Sequence, residues 1–139
     1  MKVKDVMHSG VTWIEPDTSV RDIAKKMREQ DIGAIPVGEN DKLIGMVTDR
    51  DIVCRGLANG RDASKLTARD VMSKGISYCR NNDDLDDAID EMSKKHIRRL
   101  TVIDENKRMV GMLSVGDISR KADKRHCVDF LQAVSAHHG

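Results

Sequence analysis

The chain has few aromatic side chains and no excess of charge of either sign. Trp13, Tyr78 and Phe130 make up 2% of its 139 residues, which argues against a base-stacking surface for single-stranded nucleic acid. The 24 basic and 23 acidic residues give a net charge of +1, so the chain carries no electrostatic footprint for duplex DNA or for a membrane surface. The one basic stretch, residues 120–126, is typical of a solvated helix face.

Cysteine pairs and long hydrophobic runs are also missing. Cys54, Cys79 and Cys127 lie far apart, and without a Cys-x-x-Cys pair they encode neither a zinc ribbon nor a redox dithiol. The histidines share no ligand spacing with them, so we expect no metal site. No apolar run is long enough for a leader or a membrane span. Reduced thiols are typical of the cytoplasm, and we therefore expect a cytoplasmic protein.

The chain contains one sequence pattern that occurs twice. The string Asp5–Met7 recurs as Asp70–Met72, and Gly45–Thr48 recurs with similar residues as Gly111–Ser114. Single residues that recur at the offset of the first pair are Gly10 and Gly75, Met27 and Met92, Ile32 and Ile97, and Val37 and Val102. Matches spread over so many positions indicate an internal duplication.

Each copy predicts a strand and then an amphipathic helix. In the first copy, residues 11–14 are β-prone and are followed by Pro16, which cannot continue a ladder. Ser19 then precedes an apolar stripe at helical spacing, with Asp22 placed for a capping box. The stripe residues are Val20, Ile23, Ala24 and Met27 in the first copy, and Leu85, Ala88, Ile89 and Met92 in the second.

Each copy then predicts a hairpin and a second helix. Two short apolar runs flank polar turn residues, at 34–37 and 43–48 in the first copy and at 100–103 and 109–114 in the second. The second helix is expected to begin beside Asp49 in the first copy and beside Val115 in the second. The repeated unit is therefore strand, helix, strand, strand, helix.

A unit of about sixty residues leaves much of its sheet uncovered when it is alone. We therefore predict an α/β (α+β) fold in which two β-α-β-β-α units pack sheet to sheet about a pseudo-twofold axis. The predicted boundaries are 1–62 and 63–124, followed by a helical tail over 125–139. In that tail Val128, Leu131 and Val134 form a stripe, of the kind that more often serves a core or a dimer contact than a cofactor site.

Both hairpins end in the pattern Gly-apolar-apolar-Thr/Ser-x-x-Asp-apolar. Thr48 and Ser114 close the strands, and Asp51 and Asp117 follow three residues later. An ionised aspartate can accept hydrogen bonds from two ribose hydroxyls, and a hydroxyl group beside free helix-start N–H groups can donate to a phosphate oxygen. The same residue types also serve simply as helix caps, so capping stays open beside ligand binding.

The two hairpin ends and the Asp-Val-Met openings resemble CBS (cystathionine-β-synthase) domains, over about residues 1–124. The whole chain looks most like the small stand-alone CBS-pair proteins, including those of the hypoxic-response type. The resemblance implies a homodimeric regulatory pair (a Bateman module) that binds AMP, ADP, ATP or S-adenosylmethionine. It assigns Asp51 and Asp117 to the ribose, and Thr48 and Ser114 to the phosphate.

The copies differ before the second hairpin strand, where the second copy has Arg98 and Arg99 and the first has Gly33 and Ala34. Arginine is planar and permanently charged, which suits phosphate, and the family resemblance implies that basic residues here face phosphates. The second site is therefore predicted to be better equipped, with Arg50 as a possible substitute in the first. The alternative is a surface ion pair between these arginines and the acidic helix at 83–91.

No nucleophile elbow, P-loop or Cys–His arrangement is present, so we predict no catalytic residues and no enzyme. The leading hypothesis is a regulatory module that senses an adenosine-containing nucleotide and passes its occupancy to an unidentified partner protein. The alternative is a homodimeric scaffold whose pockets bind nothing. Nucleic-acid binding through residues 120–126 is the least favoured hypothesis.

Overall fold

The computed structural model describes residues 1–74 and 76–135, without the side chain of His126. Gly75, the match to Gly10, and residues 136–139 of the predicted tail lie outside the described residues. The chain packs into two compact units. We call Thr12–Ile76 the first-repeat unit, and Met1–Val11 together with the chain from Ser77 onward the second-repeat unit.

The described elements follow the predicted order closely. The strands are β1 His8–Ser9, β2 Ala34–Glu39, β3 Lys42–Thr48, β4 Tyr78–Arg80, β5 Arg99–Ile103 and β6 Met109–Ser114. The α-helices are α1 Val20–Gln30, α2 Asp49–Asp51, α3 Ala68–Val71, α4 Leu85–Lys95, α5 Val115–Lys121 and α6 Lys124–Ser135. Short 3-10 turns cover Val3–Asp5, Leu57–Asn59 and Ala63–Lys65, and a π-helical turn covers Ile52–Gly56. Among the described helices, none is long and apolar enough to cross a bilayer.

In the first-repeat unit, the antiparallel hairpin β2–β3 packs against α1. The hydroxyl oxygen of Ser19 caps α1 by accepting the Asp22 N–H at 3.1 Å, which is one half of the capping box that the sequence predicts. The helix buries three of its four stripe residues and leaves Ala24 exposed. The strand expected at 11–14 shrinks to a single parallel bridge between Ile14 and Val37, since proline follows two residues later and cannot donate.

In the second-repeat unit, four strands form one sheet in the order β1-β6-β5-β4. The pair β4–β5 is parallel, and the other two pairs are antiparallel. Helix α4 buries all four of its predicted stripe residues against this sheet. The stripe thus recurs in both copies because both helices must cover an apolar sheet face.

The opening segment of each repeat packs in the unit of the other repeat. The N–H of Val3 donates to the Asp83 carbonyl at 2.9 Å, and β1 pairs with β6. In the same way, Ser73 follows α3 and pairs with Met46 of β3 in the first-repeat unit. The two Asp-Val-Met strings are therefore exchanged between the units.

This pairing explains the glycine in each hairpin signature. A Cβ at Gly111 would overlap the carbonyl oxygen of His8, and a Cβ at Gly45 would lie 2.9 Å from the carbonyl oxygen of Ser73. Backbone oxygens cannot yield as a flexible side chain does. Only glycine therefore admits the opening segment at this distance.

The C-terminal helix α6 is present as predicted, but its buried face differs from the expected stripe. Val134 is buried, whereas Val128 and Leu131 are each 55% exposed. The face that enters the core of the second-repeat unit holds Phe130 and Val134, with Cys127 partly buried beside them. The spacing of Cys127, Phe130 and Val134 is three and then four residues, which keeps these side chains on one side of the helix. The predicted stripe has two successive spacings of three residues, which turn its side chains progressively away from one side.

The predicted mixed α/β class with two repeated units is confirmed. The chain boundaries of the repeats stay predictions, and so does the packing of one repeat on the other.

Candidate functional site

The strand–helix junction of the second repeat is held by a reciprocal set of hydrogen bonds. Ser114 ends β6, and Asp117 lies in the first turn of α5. The N–H and the hydroxyl of Ser114 donate to Asp117 Oδ2 at 3.0 and 2.9 Å. The N–H of Asp117 donates back to Ser114 Oγ at 3.2 Å. Two free helix-start N–H groups are thereby satisfied.

The second oxygen of Asp117 has two further partners. Arg120 Nη2 donates to Asp117 Oδ1 at 2.9 Å, and His8 Nδ1 lies 2.9 Å from the same oxygen. The carboxylate is buried, with a side-chain exposure of 4%, while the side chains of His8 and Arg120 are 74% and 62% exposed. A carboxylate has about four acceptor positions; Ser114 and Arg120 supply donors to three of them, and the His8 ring nitrogen lies at the fourth.

The junction of the first repeat has the same cap but fewer charged partners. The N–H of Thr48 donates to Asp51 Oδ2 at 2.9 Å, and the N–H of Asp51 donates to Thr48 Oγ1 at 3.1 Å. Arg55 Nε lies 4.0 Å from Asp51 Oδ1. Oδ1 of Asp51 is therefore less fully engaged than Oδ1 of Asp117.

Capping is thus a real use of all four residues. The hydroxyl–x–x–aspartate spacing forms a capping box in both repeats, with the aspartate as its reciprocal half. A first-turn aspartate is consequently part of the cap rather than an addition to it. The signature alone therefore does not separate a cap from a ligand site.

A cavity of about 570 Å³ lies beside the second-repeat junction. Arg98 and Arg99 line it together with the residues at the β6–α5 turn, Ser114 to Gly116. Helix α6 contributes three more lining residues, which are Leu131, Val134 and Ser135. The volume falls within the range of about 300–1,000 Å³ typical of small-molecule sites.

The positive charges of the two arginines of this cavity are not neutralised by a carboxylate in the described part of the chain. Both side chains are exposed, and in the described part of the chain neither forms an ion pair with the acidic helix or with any other carboxylate. The structure therefore brings Arg98, Arg99 and Ser114 together around one cavity. Asp117 does not line this cavity itself and is connected to it through its hydrogen bonds with Ser114.

The equivalent place in the first repeat lacks both arginines and carries a carboxylate, with the exposed Arg50 next to it in the chain. Gly33 stands where the second repeat has Arg98, and Asp49 stands where it has Val115. The Asp49 N–H donates to the Gly33 carbonyl at 2.9 Å, and a Cβ on Gly33 would lie 2.9 Å from Asp49 Oδ2. A carboxylate at this place repels an anionic ligand.

His8 and Arg120 are the partners of Asp117 Oδ1, and the sequence patterns predict neither of them as a site residue. Arg120 could have been found, because it lies three residues after Asp117 on one helix. His8 could not, since it is 109 residues away from Asp117 and arrives there only through the pairing of β1 with β6. Among residues 1–74 and 76–135, no three His, Cys, Asp or Glu side chains are grouped to hold a metal ion.

A duplicated chain with two small α/β units, each carrying one capped strand–helix junction, defines a tandem-repeat α/β protein. The chain belongs to the CBS domain family, whose model matches residues 3–55 and 68–124. The predicted family is therefore confirmed.

Curated and solved relatives agree with this assignment. Hypoxic response protein 1 of Mycobacterium tuberculosis is 38% identical over 132 residues, which are 94% of this chain and 92% of the relative. A crystal structure of Hypoxic Response Protein I with two coordinated zinc ions has a TM-score of 0.80 and covers 88% of this chain and 100% of its own.

Two further solved relatives contain adenosine compounds. The structure of CBSX2 in complex with AMP is 26% identical, with a TM-score of 0.75, and covers 87% of this chain and 95% of its own. The CBS domain pair of protein MJ0100, in complex with 5'-methylthioadenosine and S-adenosyl-L-methionine, is 27% identical, with a TM-score of 0.77 and coverages of 86% and 94%.

Proposed function

We propose that this protein is a non-catalytic sensor of an adenosine-containing ligand with an anionic group, which is a phosphate in the candidates AMP, ADP and ATP and a carboxylate in the candidate S-adenosylmethionine. In this proposal it acts in the cytoplasm as a homodimer, and an unidentified partner protein responds to whether its ligand site is occupied. The ligand binds in the second repeat, where Arg98 and Arg99 hold the anionic group, Ser114 donates to it, and Asp117 accepts from the ribose hydroxyls.

The observation that carries the proposal is the cavity of about 570 Å³ with two arginines that have no ion-pair partner among the described residues. Two guanidinium groups without a carboxylate partner, beside the start of α5, are a favourable place for an anion, since hydrogen bonds between charged groups are stronger than those between neutral groups. In the first repeat, Asp49 opposes an anion at the corresponding place. We therefore propose one anion-binding site per chain, with Thr48 and Asp51 acting mainly as a cap.

Ribose binding requires an exchange of partners at Asp117. His8 and Arg120 occupy Oδ1, but their side chains are largely exposed. Either side chain can turn into water at little cost when a ribose hydroxyl takes its place. The Ser114 hydroxyl turns its one hydrogen from Asp117 Oδ2 to the ligand in this exchange. The two backbone N–H bonds of the cap, from Ser114 to Asp117 Oδ2 and from Asp117 to Ser114 Oγ, stay in place and preserve the helix start. The complexes of CBSX2 with AMP and of MJ0100 with adenosine compounds support the choice of ligand class.

Transmission to a partner requires that the ligand binds two conformations of the module unequally, because equal affinity shifts no equilibrium. The two conformations would be visible as a ligand-dependent change in the affinity of the module for its partner.

Isothermal titration calorimetry with AMP, ATP and S-adenosylmethionine tests the proposal. We expect binding of at least one of them, with one ligand per chain. Arg98→Ala combined with Arg99→Ala should weaken binding of a phosphorylated ligand at least about tenfold, since the loss of even one charge-assisted contact of about 1.5–3 kcal/mol corresponds to about ten- to hundredfold. Arg108→Ala is the matched control, because Arg108 lies in the exposed hairpin turn of the same unit and does not line the cavity.

Three outcomes would count against the proposal. Absence of heat with every ligand would leave the homodimeric scaffold, which also predicts no nucleotide-dependent rise in melting temperature. Two ligands per chain would contradict the argument from Asp49. Turnover of a nucleotide that is lost in Asp117→Ala would show that the protein is an enzyme.

A further inference from the structure

The cavity of the second repeat is lined by two chemically different groups of residues. Arg98, Arg99 and Ser114 come from the repeat itself and are polar or cationic. Leu131 and Val134 come from α6, which lies beyond the duplicated pattern, and they are aliphatic. The internal symmetry of the chain therefore does not account for the aliphatic side of the cavity.

Helix α6 is a fixed part of this cavity rather than a loose tail. Phe130 and Val134 are each 2% exposed and belong to the core of the second-repeat unit. The carbonyl of Ala133 lies 2.8 Å from Nδ1 of His96. His96 ends α4 in the left-handed conformation, with φ of 54°, two residues before Arg98. The helix is thus anchored to the segment that leads into β5 and contains Arg98, one residue before that strand begins at Arg99.

Leu131 differs from its neighbour Val128 in one respect that matters. Both side chains are 55% exposed, and both line a small apolar cavity of about 130 Å³ between α5 and α6. Leu131 alone of the two also lines the large cavity. A half-exposed leucine beside two arginines presents apolar surface to a ligand that has both an anionic and an apolar part.

We propose that α6 supplies the apolar surface against which the base of the bound nucleotide packs, with Leu131 as a contacting residue. This inference rests on the proposed function and deepens it. The arginines and Asp117 recognise the ribose and the anionic group, and the helix outside the repeats recognises the base. Base selectivity is then set by a segment that the duplication did not produce.

The test compares AMP with ribose 5-phosphate, which lacks only the base, by calorimetric titration of the full chain. Leu131→Ala should weaken AMP binding about tenfold, the effect expected from removing methylene groups from an apolar contact. It should leave the affinity for ribose 5-phosphate unchanged. Leu131→Met should keep the wild-type affinity for AMP, since its volume is similar. Val128→Ala, the control with equal exposure on the same helix, should change neither affinity.

An unchanged AMP affinity in Leu131→Ala would overturn this inference and leave the proposed function intact. Equal weakening of both ligands would also overturn it, because it would show a distortion of the whole site. Tighter AMP binding would mean that α6 obstructs the cavity instead of completing the site, again against the inference. A wild-type protein that binds no AMP, although it binds another of the candidate ligands, would overturn the inference alone. A wild-type protein that binds none of them would remove both proposals.

Discussion

Replacement of Asp117 by alanine should destabilise the ligand-free protein more than replacement of Asp51. Both changes remove the reciprocal half of a capping box, which costs about 1 kcal/mol. Asp117→Ala also removes the hydroxyl contact of Ser114 at 2.9 Å and the two contacts of Oδ1 with Arg120 and His8, each 2.9 Å. Asp51→Ala removes one approach of 4.0 Å from Arg55.

The size of the difference follows from the exposure of the partners. The hydroxyl contact adds about 1 kcal/mol. The contacts with Arg120 and His8 add at most about 1 kcal/mol together, because exposed charges are well solvated. We therefore expect a loss of about 2–3 kcal/mol for Asp117→Ala and about 1 kcal/mol for Asp51→Ala in the free energy of unfolding. The part due to the charged contacts should shrink in high salt.

Urea denaturation measures both losses, and the chain provides a separate reporter for each unit. Trp13 lies in the first-repeat unit and Tyr78 in the second-repeat unit, so their fluorescence follows the two units, while far-UV circular dichroism follows the whole chain. Unchanged slopes would show that the midpoints report stability. Equal losses in the two variants, or an Asp117→Ala variant as stable as the wild type, would refute the account of the Asp117 contacts.

Three further predictions concern the core and the strand pairing. Gly111→Ala should lower the free energy of unfolding by about 2–3 kcal/mol, because its Cβ would overlap the His8 carbonyl. Gly116→Ala should be tolerated, because the nearest atom to its Cβ is the flexible end of Arg120 at 3.3 Å. Denaturation midpoints that fall equally in the two variants would contradict this prediction. Thr101→Val should stabilise the protein by about 1 kcal/mol in thermal unfolding, since Thr101 Oγ1 is buried without a hydrogen-bond partner in the described structure; a lower melting temperature would instead show that the hydroxyl is satisfied. Burial, and to a smaller extent Asp83, raises the pKa of the Cys79 thiol from 9.0 to about 12. The stabilising contribution of this thiol is therefore complete below pH 9 and is lost as the pH rises from 9 towards 12. Cys79→Val should flatten that part of the stability–pH curve, and alkylation should reach the exposed Cys54 well before Cys79.

Much of the architecture was predictable because it depends on local patterns. The stripe of α4 is buried in full, and α2 and α5 begin at Asp49 and Val115, as the hairpin signature indicates. The stripe of α6 was only partly right, because three apolar residues spaced by three fit a helix but do not say which of them faces the core. The strand at 11–14 was overestimated, because β propensity does not decide whether a partner strand continues alongside.

The candidate site divides in the same way. Thr48, Asp51, Ser114 and Asp117 were visible as a repeated signature, and the contrast between Arg98 and Gly33 already indicated that the two repeats are unequal. The position of the Asp49 carboxylate was not visible, because nothing in the signature indicates that it lies beside Gly33. His8 had no sequence signal at all, since nothing local marks a residue that reaches its partner through a distant strand.

The duplication, the family, the order of elements and the capped aspartate of each repeat follow from the amino-acid sequence alone, because they are encoded by periodicity and by residues within one turn of each other. The residues that surround Asp117, and the helix that lines the cavity beside Ser114, became visible only in the folded chain. Those contacts join segments far apart in the chain, and their geometry depends on strand pairing and on core packing, which no short stretch of sequence specifies.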